Sequence, residues 1–168
     1  MYHLYKKTLK TGKLTEPVSV GAEVAELGTA CQREIARQFG GSLAIRMVDA
    51  GSCNGCELEM HAVNNGFYDI ERFGIHFVAS PRHADLLLVT GPVTRHMQEA
   101  LQRTYNATPA PKLVIAMGDC AKHGGEFGES YASCAGVAQV LPVDAVIPGC
   151  PPTPLQLLQG ILQLLHKH

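Results

Sequence analysis

The feature that most limits the fold of this chain is a succession of short apolar runs, each followed after a glycine or small residue by a stretch of helical character. The runs are Leu43 to Val48, Ile75 to Ala79, Leu86 to Val89, Leu113 to Met117 and Ala145 to Ile147. Several are aliphatic without alternation, as expected of strands covered on both faces of a parallel sheet. Helical stretches lie near Asn54 to Asn64, Val93 to Tyr105 and Ser133 to Val140. A last helix opens with Thr153 as N-cap and Pro154 at its first position. Its wide apolar face, Leu155, Leu158, Leu162 and Leu165 with Leu157, Ile161 and Leu164 beside it, suits docking on the sheet or on a partner. The pattern predicts an α/β, flavodoxin-like three-layer domain with a parallel sheet over residues 42–168.

Residues 1–41 are expected to form an N-terminal arm plus a helix. The arm carries Lys6, Lys7, Lys10 and Lys13 with no acid before Glu16. It reads as extended, either solvated or lying on an acidic partner or near anionic lipid. Pro17 and Ser19 then introduce a helix to about Phe39, with Val24, Leu27, Cys31, Ile35 and Phe39 along one face and Gly40-Gly41 closing it.

Composition excludes several classes. Of 168 residues, 46% are hydrophobic and 17% charged, the balance of a packed globular chain. With 14 basic and 15 acidic residues the formal charge is −1, which disfavours a nucleic-acid binder. No apolar stretch approaches the roughly 18 to 20 residues of a spanning helix. Neither an apolar signal core nor a twin arginine accompanies the first lysines, so a cytoplasmic location is expected.

In a reducing compartment six cysteines suggest ligation or redox chemistry, not disulfides. Cys31 and Cys134 sit among alanines in expected helices and read as small buried hydrophobes. The other four lie in breaker-rich loops: Cys53 and Cys56 in Gly51-Ser-Cys-Asn-Gly-Cys, Cys120 after Gly118-Asp119, and Cys150 in Pro148-Gly-Cys-Pro-Pro. Each of these loops follows the carboxyl end of an expected strand, where open parallel sheets bind ligands. A close pair plus two remote single thiols favours a 4Fe-4S cluster over zinc, whose structural sites usually present two short pairs. A dithiol redox pair is a third reading, on the weak signal of one Cys-x-x-Cys. Glycines 51, 55, 118, 124, 125 and 149 let backbone amides approach cluster sulfurs, and prolines 148, 151 and 152 stiffen the last loop. No Gly-x-Gly-x-x-Gly or Walker loop follows the first strand, which disfavours nucleotide binding.

Four segments together carry a specific resemblance: Gly51-Ser-Cys-Asn-Gly-Cys-Glu-Leu-Glu-Met60, Thr90-Gly-Pro-Val-Thr94, Ala116-Met-Gly-Asp-Cys120 with Gly124-Gly125, and Val143 to Pro152. Over about residues 43–165 the chain resembles the small subunit of nickel-iron hydrogenases and its relative in respiratory complex I. The resemblance implies that Cys53, Cys56, Cys120 and Cys150 hold one 4Fe-4S cluster next to the active site of a large subunit. The complex I relative carries two adjacent cysteines, whereas Asn54 and Gly55 separate Cys53 from Cys56 here, as in hydrogenases. Periplasmic uptake enzymes have a leader and a longer small subunit, so the resemblance points to the membrane-bound, complex I-like hydrogenases (group 4) of the energy-converting and formate hydrogenlyase type. Nickel-free sulfur- or quinone-reducing relatives share a similar subunit, and a zinc-stabilised binding domain is the alternative from another class.

The implied role is an electron relay within an oxidoreductase, with no catalytic residue on this chain. Implied partners are the hydrogenase large subunit, a ferredoxin-like iron-sulfur subunit and, through the complex, membrane-arm subunits. The implied location is peripheral, on the cytoplasmic side of the inner membrane. Glu57 and Glu59 are candidates for proton movement at the large-subunit interface, or are simply favourable charges near a helix N-terminus. His123 reads as a satisfied loop histidine, Asp119 as a residue that orients its loop, and Arg46, Arg72 and Arg95 as ion-pairing groups.

Overall fold

The computed structural model describes residues 2–12 and 21–167. In chain order the main elements are α1 (Tyr2–Thr11), α2 (Ala22–Phe39), β1 (Leu43–Asp49), α3 (Gly55–Ala62), β2 (Ile75–Phe77), β3 (Leu86–Thr90), α4 (Arg95–Ala107), β4 (Leu113–Met117), α5 (Asp119–His123), β5 (Ala145–Ile147) and α6 (Pro154–Lys167). The strands form one five-stranded sheet in the order β2-β1-β3-β4-β5, every neighbouring pair parallel. The expected flavodoxin-like three-layer fold is therefore present.

Strand geometry sends alternate residues to opposite faces, and the two cores follow that period. Ile45, Leu86, Leu88, Ile115 and Met117 face α2, α3 and α6. Val48, Leu87, Val89, Val114 and Ala116 face α4, α5 and the segment after it. All five residues of β3 are buried, as its unbroken aliphatic run requires. Two carboxylates just ahead of strands fix the register at the amino edge. Asp85 accepts from the Ala44 amide at 2.9 Å, and Asp144 accepts from the Val114 amide at 2.8 Å.

The terminal helices complete one layer. Thr153 Oγ1 accepts from the Gln156 amide and Gln156 Oε1 accepts from the Thr153 amide, a reciprocal cap that starts α6 where the sequence places it. Leu157, Leu158, Ile161, Leu164 and Leu165 of α6 are buried on the sheet, so its apolar face docks within the chain. Helix α2 joins the same core through Cys31 and Ile35, and Gln38 Nε2 donates to the Leu165 carbonyl at 2.6 Å. Gly40 ends α2 in the left-handed conformation, as expected. Pro17 and Ser19 lie outside the described residues.

Two segments differ from the sequence expectation. The arm is helical over Tyr2–Thr11 instead of extended. Tyr2, Tyr5 and Leu9 stand at helical spacing, a stripe too narrow to register as a core face, and no breaker intervenes before Gly12. Ser133 to Val140 forms only a short turn of 3-10 helix at Val137–Gln139. Its start is tied down instead: the Cys134 amide donates to the Val93 carbonyl at 2.9 Å, Ser133 Oγ donates to the Pro92 carbonyl at 3.1 Å, and Ala135 is left-handed at φ 68°. Cys134 is buried as expected, but in this loop and not in a helix.

Candidate metal centre

The carboxyl ends of β1, β4 and β5 each feed a cysteine loop. After β1, Asp49 Oδ1 accepts from the amides of Gly51 and Ser52 at 2.8 and 2.7 Å, and Ser52 Oγ accepts from the Asn54 amide at 3.1 Å. These turns present Cys53 in an exposed loop and set Cys56 in the first turn of α3. After β4, the Gly118 amide donates to the Ile147 carbonyl at 2.7 Å and leads into α5, which carries Cys120. Cys150 follows β5.

The loops of β4 and β5 are bonded to each other. The Asp119 amide donates to the Gly149 carbonyl at 2.9 Å, and the Gly149 amide donates to Asp119 Oδ1 at 3.0 Å. Asp119 thus ties the start of α5, which bears Cys120, to the loop that bears Cys150.

Cys53, Cys56, Cys120 and Cys150 all line one cavity of about 100 Å³, together with Gly55, Gly91 and Gly149. The sequence-predicted quartet is brought together. Among the described residues no three metal-ligating side chains close on a single point; the thiols surround a space. Two glycines admit them. A Cβ on Gly118 would lie 2.8 Å from Cys56 Sγ, and one on Gly125 would lie 2.7 Å from Cys120 Sγ. Both have positive φ, 90° and 54°, so the backbone itself forms the wall behind each sulfur. An all-thiol donor set around a small cavity with close-approaching backbone fits an iron-sulfur cluster.

The electrostatics describe a site that needs positive charge. Burial pushes the Cys56 thiol up to about 12, with Glu57 and the other three cysteines adding to the effect. Cys120 is raised by burial first, then by Cys150 and Cys53 and by nearby Asp119 and Glu126. Four thiolates there repel one another until a cationic centre neutralises them.

The two glutamates part company. Glu57 is buried, and its Oε1 accepts a hydrogen bond from the Thr90 hydroxyl at the end of β3. Its Oε2 is buried without a partner. Arg46 Nε is likewise buried and unpartnered, and both residues line a second cavity, of about 160 Å³, with Met60 and His61. Glu59, two residues along α3, is half-buried. Thr90 and Gly91 are site residues that motif reading did not give a role; their signal was their position at the carboxyl end of the central strand. His123 Nδ1 accepts from the Gly125 amide at 3.2 Å; it is satisfied as expected, but at the end of α5 and not in a loop. Cys31 lies apart in α2, its thiol raised to about 11 by burial.

The chain is similar to several known proteins. The probable membrane-bound hydrogenase subunit mbhJ of Pyrococcus furiosus is 46% identical over 134 residues, 80% of each chain. Formate hydrogenlyase subunit 7 of Escherichia coli is 42% identical over 149 residues, 89% of this chain and 57% of that protein. Among solved structures, a chain of the membrane-bound sulfane sulfur reductase, an archaeal respiratory membrane complex, matches with a TM-score of 0.67 at 36% identity, covering 81% of this chain and 74% of that one. A chain of an NAD+-reducing [NiFe]-hydrogenase shares the fold, with a TM-score of 0.57 at 18% identity over 76% of this chain and 93% of that one. The model of the NADH ubiquinone oxidoreductase, 20 Kd subunit, matches residues 53–164, from the first site cysteine into α6, and the chain belongs to that family.

Proposed function

We propose that this chain is the electron-transfer small subunit of a membrane-bound nickel-iron hydrogenase complex, with one 4Fe-4S cluster on Cys53, Cys56, Cys120 and Cys150. The observation that carries the reading is the convergence of these four thiols, from three loops, on one cavity at the carboxyl edge of the sheet. The high identity to hydrogenase subunits supports the complex. Bound there, the cluster supplies one-electron transfer between the large-subunit active site and a ferredoxin-like subunit.

The chain's own residues bind, orient and tune. Cys56 and Cys120, half-buried, form the inner wall of the site, and Cys53 and Cys150, exposed, form its rim. The Asp119–Gly149 pair sets the separation between the third and fourth ligands. Gly118 and Gly125 bring backbone against the inner sulfurs and exclude water from them. Glu57 stands one residue from Cys56, held at Oε1 by Thr90, and its free Oε2 is the atom that carries a proton in this reading. Glu59, half-buried on the same helix, is the second candidate. The exposed rim calls for a large subunit over this edge. In this reading the chain lies peripherally on the cytoplasmic side of the inner membrane through its partner subunits; none of the described helices is long and apolar enough to cross a membrane.

A second reading, the equivalent subunit of a nickel-free sulfur-reducing complex, is favoured by the similarity to the sulfane sulfur reductase. Purification of the complex through a tag on this chain, under anaerobic conditions, separates the two. Nickel at about one per complex with hydrogen-dependent dye reduction supports the hydrogenase; iron without nickel, and no such activity, supports the sulfur-reducing relative.

A further inference from the structure

Helix α1 has no place in the electron relay, and every one of its residues whose burial is described is exposed. Tyr2, Tyr5 and Leu9 are 71%, 67% and 69% exposed. At about 100° per residue these three share one stripe of the helix, and Lys6, Lys10, His3 and Lys7 follow in order along one side of it. The helix contains no acid. The ion pairs among the described residues, Arg37–Glu34 and Arg103–Glu99, lie elsewhere, so its three lysines are uncompensated.

Ten residues are too few for a helix to be stable alone in water. A surface must therefore hold α1, and its chemistry selects one. Two tyrosines combine an apolar ring with a hydroxyl that stays wet, a profile that suits the membrane interface as well as a protein surface, so the charge on the helix selects between them. Lysines beside them extend their stems along the apolar stripe and reach phosphate groups. Three like charges without an acid complement an anionic leaflet.

We propose that α1 is an interfacial anchor lying on an anionic lipid surface, with Tyr2, Tyr5 and Leu9 at headgroup depth and Lys6, Lys7 and Lys10 on lipid phosphates. Three apolar side chains give weak, reversible binding, so the helix acts as a second attachment beside the partner subunits and orients the subunit against the bilayer. The inference does not depend on the metal centre: a chain that fails to hold iron still carries this helix.

The test is sedimentation of the full chain, tagged at its C-terminus, with vesicles of phosphatidylcholine alone or with about one third phosphatidylglycerol. The expected result is binding to the anionic vesicles only, lost at high salt and lowered about 100-fold in partition by the K6E/K7E/K10E triple variant. Y2A/Y5A/L9A lowers binding as well and leaves the salt dependence in place. Equal binding to both vesicles, no binding, or an unaltered triple variant overturns the proposal. Cross-linking of α1 to an acidic subunit in the isolated complex, with no vesicle binding by the chain, assigns the surface to a protein partner and overturns it too.

Discussion

Asp119 and Gly149 hold each other across two loops, each donating its amide to the other, at 2.9 and 3.0 Å. Through them the segments that bear Cys120 and Cys150 are bonded to each other. Replacing Asp119 by Ala removes an acceptor that is a carboxylate and leaves the Gly149 amide without its partner. The expected loss is about 1 to 2 kcal/mol of apo-chain stability, read by denaturant unfolding, with faster iron release to a chelator from the loaded complex. D119N retains the accepting oxygen and should restore most of both. Equal effects of D119A and D119N would assign the role to charge instead of to the hydrogen bond.

Gly118 is one of the two points where backbone closes on a site sulfur. A methyl there lies 2.8 Å from Cys56 Sγ on a backbone with φ of 90°. G118A should cost roughly 1 to 3 kcal/mol in stability and leave the complex deficient in iron. Full iron content in G118A would show that the sulfur has room to retreat.

The thiols give a pH dependence with a defined sign. Burial raises Cys56 from 9.0 to about 12, so the folded apo chain holds the proton that the unfolded chain releases above about pH 9. That contribution to stability is intact below pH 9 and is lost as pH rises from 9 toward 12. Loading with iron inverts the behaviour, because bound thiolates are already ionised: proton uptake competes with the metal, and retention weakens as pH falls. Titration of released protons during anaerobic reconstitution checks the sign. Alkylation of the apo chain should proceed first at Cys53 and Cys150, slowly at Cys56, and last at buried Cys31. Loading should protect the first three and leave Cys31 as it was.

Glu57 is tested by a variant that keeps its structure. E57Q preserves an oxygen for the Thr90 hydroxyl and removes the ability to carry a proton on Oε2. Iron content should be unchanged and turnover slowed, with an altered pH profile. Unchanged turnover would reduce Glu57 to its structural bond with Thr90, and loss of iron would make that bond part of the cluster's support.

Most of the site was legible because cysteine and glycine announce themselves locally. The apolar runs mark the strands and the strand ends mark the loops, so the sequence pattern alone puts the four thiols on one edge of the sheet. What stayed hidden depends on contacts between distant segments. Asp119 looks like any loop acid until Gly149 is beside it. Thr90 reads as a strand terminus until the side chain of Glu57, 33 residues earlier, meets its hydroxyl. The failure at Ser133 to Val140 has the same cause: Pro92 and Val93 take its hydrogen bonds, and a helix there would forfeit them. At α1 the miss was local instead: Tyr2, Tyr5 and Leu9 recur at helical spacing in a segment read as extended.

The proposed assignment of an iron-sulfur cluster to Cys53, Cys56, Cys120 and Cys150 is decided by metal analysis across cysteine variants. Iron, nickel and zinc are measured in complexes purified anaerobically through a tag on this chain. Replacement by Ser of Cys53, Cys56, Cys120 or Cys150 should each remove about four irons per complex, and C31S and C134S should remove none. Zinc lost in place of iron, or iron content indifferent to those four positions, would overturn the assignment.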